Sequence, residues 1–312
     1  GQLQLANVLE GLLKHVLDSN KRVQEVACGA LATLVQDVGG AVQSERITPN
    51  ILQVDHILSN LMKAHERYQR RNLPVLYDAL GTLADAVGQS LYRKDYVDMM
   101  VPPLLHRWEA MSDTDKDVCP LIYCIKSLAY ALGPFFDVYQ DNVFRKCGQQ
   151  IEKQLRLKHA RQMQASQGNP TDDAELDVEI VLCHLELMCA LVETSQGKVQ
   201  IGDCPLGEML VMLCQEWNPD MRQSAFELIG EMCKSYRTVL EPQTPHLMTA
   251  GIETLKLLNS PEQERACNNT IWAMGELAVQ VNPELVYPHV MQIIDHLIPL
   301  LAEGEKRRSL QE

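Results

Sequence analysis

Aromatic side chains are scarce in this chain. Phe, Trp and Tyr supply 5% of 312 residues, although 46% are hydrophobic. A core rich in Leu, Val, Ala and Met but poor in large rings suits helices packed at close distance. Strand signals are missing too: there is little period-two alternation and no Asn-Gly hairpin turn, which excludes an all-β fold. No apolar run reaches the ~18–20 residues of a membrane span, and no signal peptide opens the chain. None of the ten cysteines forms a CxxC pair, so a zinc reading is poor. Cys28, Cys183, Cys189, Cys214, Cys233 and Cys267 fall within apolar helical stretches, where a free thiol acts as a small hydrophobe. That usage points to a reducing compartment, cytosolic or nuclear.

Signals for catalysis and cofactors are lacking as well. Glycines are scattered, with neither GxGxxG nor P-loop spacing, and no cofactor is expected. Cys183 and His184 are adjacent, and neighbouring helix positions point in different directions, so the two are not expected to face each other. Cys119 and Cys124 share a face poorly. His289 and His296 align on one helix, but nothing at ligand spacing completes a metal site. No set of residues assembles nucleophile, base and oxyanion donors, so the chain reads as a non-enzyme. Positive charge is in deficit, with 28 basic against 41 acidic residues and a net charge of −13. An acidic surface repels phosphate backbones, which argues against nucleic acid. A basic polypeptide is the natural ligand.

What is present is a pattern that returns roughly every 40–50 residues, the mark of a solenoid of helical hairpins. Its second-helix signatures are ALATL (30–34), LGTLADAVG (80–88), IKSLAYALG (125–133), ELMCALVE (186–193), ELIGEMCKS (227–235) and WAMGELAVQ (272–280). The expected architecture is an all-α superhelical solenoid of antiparallel helix pairs, about six and a half repeats forming one array. Its repeats lie near 1–40, 50–92, 95–133, 135–196, 204–237 and 240–281, with a partial one at 283–312.

The helix pairs are predicted at 3–18 and 21–38, 51–68 and 72–91, 95–111 and 115–132, 135–165 and 174–194, 206–216 and 220–236, and 244–258 and 262–281. A seventh unit begins at 283–304. Asp18-Ser19-Asn20 supplies the first turn. Pro102-Pro103 is expected to kink or restart its helix. The polar stretch 164–175, with Gly168 and Pro170, is the strongest loop signal. Neither end carries a polar capping repeat, so a segment of a longer solenoid is expected.

Second helices commonly line the inner face of such arrays. Asp78, Thr82 and Asp85 stack on one side of theirs, opposite Leu76, Leu80 and Leu83. Glu25, Gly29, Thr33 and Gln36 form a similar polar stripe in the first pair. Glu186, Glu193 and Glu231 continue it further along. In the sixth pair Asn268, Trp272 and Glu276 share a face, with Asn269 alongside. Trp272 has two readings, a core residue or an exposed platform for apolar side chains and Arg planes. Together these residues suit a basic, extended peptide with interspersed apolar residues, held by several weak anchors. The amides can bond its backbone.

At these residues the chain resembles the karyopherin-β2 (transportin) branch of the importin-β nuclear import receptors, which are HEAT-repeat proteins. The resemblance rests on DSNKRVQEVAC (18–28), NLPVLYDALGTLADAVG (72–88), PPLLHRW (102–108), PDMRQSAFELIGEMCKS (219–235) and CNNTIWAMGELAVQ (267–280). It implies a C-terminal-half segment of a receptor that shuttles between cytoplasm and nucleus. Such receptors meet nucleoporins, bind disordered basic signals ending in Arg-x(2–5)-Pro-Tyr, and release them to Ran-GTP.

The family's cargo-contact pattern falls on Glu25, Thr33, Val75, Asp78, Thr82 and Asp85. A second patch falls on Leu182, Glu186, Glu193, Glu231, Asn268, Asn269 and Trp272. Gln36 stands where the family has a carboxylate, Gly29 where it has a serine and Glu264 where it has an aliphatic residue. The resemblance also implies that the main Ran-binding arch, the acidic release loop and the tryptophan of the Pro-Tyr pocket lie outside this chain. A different class stays open: a phosphatase-type HEAT scaffold that binds folded partners through loops and outer faces.

Overall fold

The computed structural model describes residues 2–43, 53–166, 176–257 and 261–298. Every regular element among them is helical. The chain divides into two compact units, 1–141 and 142–312.

The first unit contains α1 (Gln2–Val16), α2 (Lys21–Gln43), α3 (Val54–Arg67), α4 (Leu73–Val87), α5 (Lys94–Glu109) and α6 (Val118–Leu132). The α1–α2 turn forms as its residues dictate. Asp18 Oδ1 accepts the Asn20 amide at 2.7 Å and Asn20 Oδ1 accepts the Arg22 amide at 3.0 Å. The second helices lie side by side, α2 against α4 and α4 against α6. Leu76, Leu80 and Leu83 on α4 are buried. Full burial of each such side chain contributes about 1.5–3 kcal/mol. Gly88 and Gly133 end α4 and α6 with φ of 48° and 49°, a backbone region that glycine enters without steric cost.

The second unit contains most of α7 (Asp137–Ser166), then α8 (Val178–Ser195), α9 (Leu206–Cys214), α10 (Pro219–Met232), α11 (Arg237–Leu240), α12 (Thr244–Leu255), α13 (Pro261–Gln280) and α14 (Pro283–Val286). A last helical stretch covers 290–298. Here α8 packs on α10 and α10 on α13, while α9 packs on α12. The Asp177 and Asn218 side chains cap α8 and α10 by accepting the Ile180 and Met221 amides, which satisfies donors the helix leaves open. One polar tie is mostly buried: Lys158 of α7 donates to both carboxylate oxygens of Glu216, at 2.5 and 2.6 Å.

Three expectations need correction. α5 runs on through Pro102 and Pro103 as one helix rather than restarting there. A proline in a helix interior removes one intrahelical bond, and the buried face of Val97, Met100, Val101, Leu104 and Trp108 offsets that loss. Cys183 and His184 do meet, with Sγ 3.3 Å from Nδ1. Both are buried and both bond the Ile180 carbonyl, at 3.2 and 2.6 Å, so a shared backbone acceptor draws neighbouring side chains together. Finally, one helical stretch, Val118–Gln164, has a window apolar enough to cross a membrane by length and composition. 56% of that window is buried inside the fold, as expected where α6 is packed by α4 and α5.

Helix ends differ from the sequence reading by a few residues. The 72–91 helix is α4 followed by a 3₁₀ turn at Gly88–Leu91, and the helix expected to start at 51 starts at Val54. Most of the 164–175 loop and everything past 298 lie outside the described residues. Nine of the ten cysteines are buried, and Cys204 is half-buried.

Candidate functional site

In the first unit the polar stripe of α4 faces away from its leucines. Asp78 and Asp85 are exposed, and Val75 and Thr82 are half-buried. Glu25, Thr33 and Gln36 are exposed on the neighbouring α2. Thr33 donates its hydroxyl proton to the Gly29 carbonyl at 3.1 Å, so toward a ligand it can only accept. Nothing lies within 4 Å of where a Gly29 side chain would begin, so that position is open.

A groove of about 460 Å³ runs between α4 and α6 and is lined by Tyr77, Asp78, Thr82, Asp85, Tyr123, Lys126 and Ser127 among others. Burial pushes the Asp85 carboxyl above the usual carboxylate range, against the opposing pull of the Ser127 hydroxyl and the Lys126 charge. Cys124, beneath the groove, is pushed well up by burial and by Asp85 and Asp78.

The sequence reading expected the α6 helix but missed its side of the groove. Tyr123, Ser127 and Tyr130 repeat the i, i+4, i+7 spacing of Asp78, Thr82 and Asp85, and that shared register is the signal that could have found them. It also took the stripe as polar and acidic, with no basic residue on it. Glu25 instead shares a groove with Lys21, Arg22 and Arg71, and Lys126 stands at the other side.

In the second unit Leu182 and Glu186 are half-buried on α8, Glu193 is exposed, and Glu231 is half-buried on α10. Cys189 lies among four of the carboxylates: burial, then Glu227, Glu231, Glu193 and Glu186, raise its thiol pKa. Glu227 was not singled out from the sequence, although it lies one helical turn before Glu231. Glu231 is itself raised, first by burial and then by Glu193.

On α13, Asn268 is exposed, Asn269 half-buried and Glu264 exposed. One Asn269 amide hydrogen is committed to the Gln223 carbonyl of α10 at 3.3 Å. Trp272 is 38% exposed, whereas the core Trp108 is 3% exposed. Its ring lies against Gly230 of α10, where a Cβ would stand 2.3–2.7 Å from three indole carbons. The missing side chain makes the seat for the ring, which favours the platform reading over the core one.

Stacked helix pairs with a layer of second helices define the class: an all-α repeat solenoid. No protein-family model matches the chain. Over 98% of its length it is 36% identical to Transportin-1 of Oryza sativa subsp. japonica. Over 99% it is 32% identical to Transportin-1 of Homo sapiens, and over 98% it is 30% identical to Importin subunit beta-2 of Schizosaccharomyces pombe. The chain spans 32% of the length of each of these relatives. It is a homologue of the transportin and importin beta-2 proteins over nearly its whole length. Among solved structures, an engineered protein shares the fold with a TM-score of 0.51, covering 85% of this chain and 97% of its own, at 16% identity.

Proposed function

We propose that this chain is part of a nuclear import receptor and that its second-helix faces hold basic, extended localisation signals of the Pro-Tyr type. The observation that carries the reading is placement. Asp78, Asp85 and Glu193 are exposed, Glu186 and Glu231 are half-buried, and all stand on second helices that pack side by side within their units. Trp272 offers a flat apolar surface beside Asn268. Carboxylates on the face of an acidic protein attract cationic chains at long range and bind them in a salt-dependent way. Release by Ran-GTP, contact with nucleoporins and shuttling between cytoplasm and nucleus belong to the same proposal, for the longer receptor.

The test is titration of a fluorescent arginine-containing Pro-Tyr peptide at several salt concentrations. Trp272→Ala and the pair Asp78→Lys, Asp85→Lys are run beside the native chain. Saturable, salt-sensitive binding that both variants weaken supports the reading. Binding indifferent to both variants refutes it.

A scaffold that grips folded partners is the second reading. It draws on Trp217, 63% exposed where α9 turns into α10. Loss of a globular partner on Trp217→Ala, with peptide binding absent, would favour it.

A further inference from the structure

The groove between α4 and α6 already contains a cation. Lys126 lines the same space as Asp78 and Asp85. Its ammonium stands 5.3 Å from the centroid of the Tyr123 ring, a distance at which the ring face attracts a cation. Its charge also acts on Asp85, and the Ser127 hydroxyl bonds the same carboxylate. Two neighbouring residues of α6, Lys126 and Ser127, thus act on Asp85 from across the groove. Asp78, two helical turns away on α4, is exposed and has no ion pair among the described residues.

We propose that Lys126 is a tethered competitor that determines specificity by occupying Asp85 and leaving Asp78 to read the ligand's basic residue. The inference rests on the peptide-binding reading above and deepens it. A peptide cation that approaches Asp85 must displace Lys126 or stand beside a like charge, and both weaken binding. A cation at Asp78 meets neither obstacle. The α6 wall, with Lys126 and Tyr123, accepts an acidic or aromatic ligand residue at the position where a uniformly acidic stripe would demand a second base. The preferred ligand is therefore an extended peptide whose arginine is followed by an acidic or aromatic residue.

The experiment is a double-mutant cycle on binding of the fluorescent arginine-containing Pro-Tyr peptide, with Lys126→Met, Asp85→Asn, the pair together, and Asp78→Asn as a separate arm. Lys126→Met keeps the apolar stem and removes the charge. It is expected to tighten binding about three- to tenfold, with a steeper salt dependence. Asp85→Asn should cancel the whole gain in the Lys126→Met background, because the gain comes from freeing that carboxylate for the peptide. Lys126→Gln provides the same comparison if the methionine variant unfolds early.

Additive effects of Lys126→Met and Asp85→Asn, or no gain from removing the lysine, overturn the inference while Asp78→Asn still weakens binding. If Asp78→Asn is also without effect, the face does not bind the peptide, and the functional reading and the role of Lys126 fall together.

Discussion

Replacing Gly230 with alanine tests whether the seat under Trp272 matters. The new Cβ would lie 2.3 Å from the nearest indole carbon, where ordinary contacts begin at 3.4 Å. The ring must therefore retreat by roughly 1 Å or more, since backbone on α10 holds the other side. Trp272 is 38% exposed, so it has room to swing outward. Alanine in a helix interior is about 1 kcal/mol better than glycine. Losing roughly 40 Å² of contact under the ring costs about 1 kcal/mol. The two nearly cancel, so thermal unfolding should move little while the platform shifts.

Peptide affinity should fall about fivefold or more, as for truncation of an aromatic anchor. Indole emission should shift toward that of an exposed ring, with buried Trp108 as the unchanged reference. Native affinity together with native emission would show that the ring does not depend on this seat, and the argument for the platform would fail.

Three further outcomes follow from the geometry. The Glu231 carboxyl is raised above its usual 4.5 by burial and by Glu193, so between 4.5 and its folded value the native state holds the extra proton. Stability from this group is therefore present at low pH and lost as pH rises through that window. Peptide binding should weaken on acidification over the same range, and Glu231→Gln should flatten both dependences; identical pH profiles for variant and native chain would contradict this. Glu216→Ala strands the Lys158 ammonium, which is 21% exposed, and should cost about 3 kcal/mol; a change below about 1 kcal/mol in chemical denaturation would rule the tie out as a stabilising one. Iodoacetamide should reach Cys204 before the nine buried thiols, and slowly, because burial and Glu152 push Cys204 up to about 11; peptide mapping that finds another cysteine labelled first would be inconsistent with this packing.

Much of the helical order was legible from one dimension. Heptad-like spacing separates Leu76, Leu80 and Leu83 from Asp78, Thr82 and Asp85 on any α-helix, because 3.6 residues per turn fix which side chains share a face. Caps and turns such as Asp18-Ser19-Asn20 are equally local. The continuity of α5 through two prolines was not legible, because tertiary burial of its apolar face outweighs the local penalty. Nor was the meeting of Cys183 and His184, which depends on rotamers that both reach one carbonyl.

The composition of the site was hidden for a similar reason. Lys126 opposes Asp85, and Gly230 seats Trp272, only because neighbouring second helices pack at a particular register. Sequence periodicity determined which face of each helix is polar. Only the packing of one helix on the next decided which charges and rings from different repeats stand together, since that register is set by side-chain volumes at the interface, which no single helix contains.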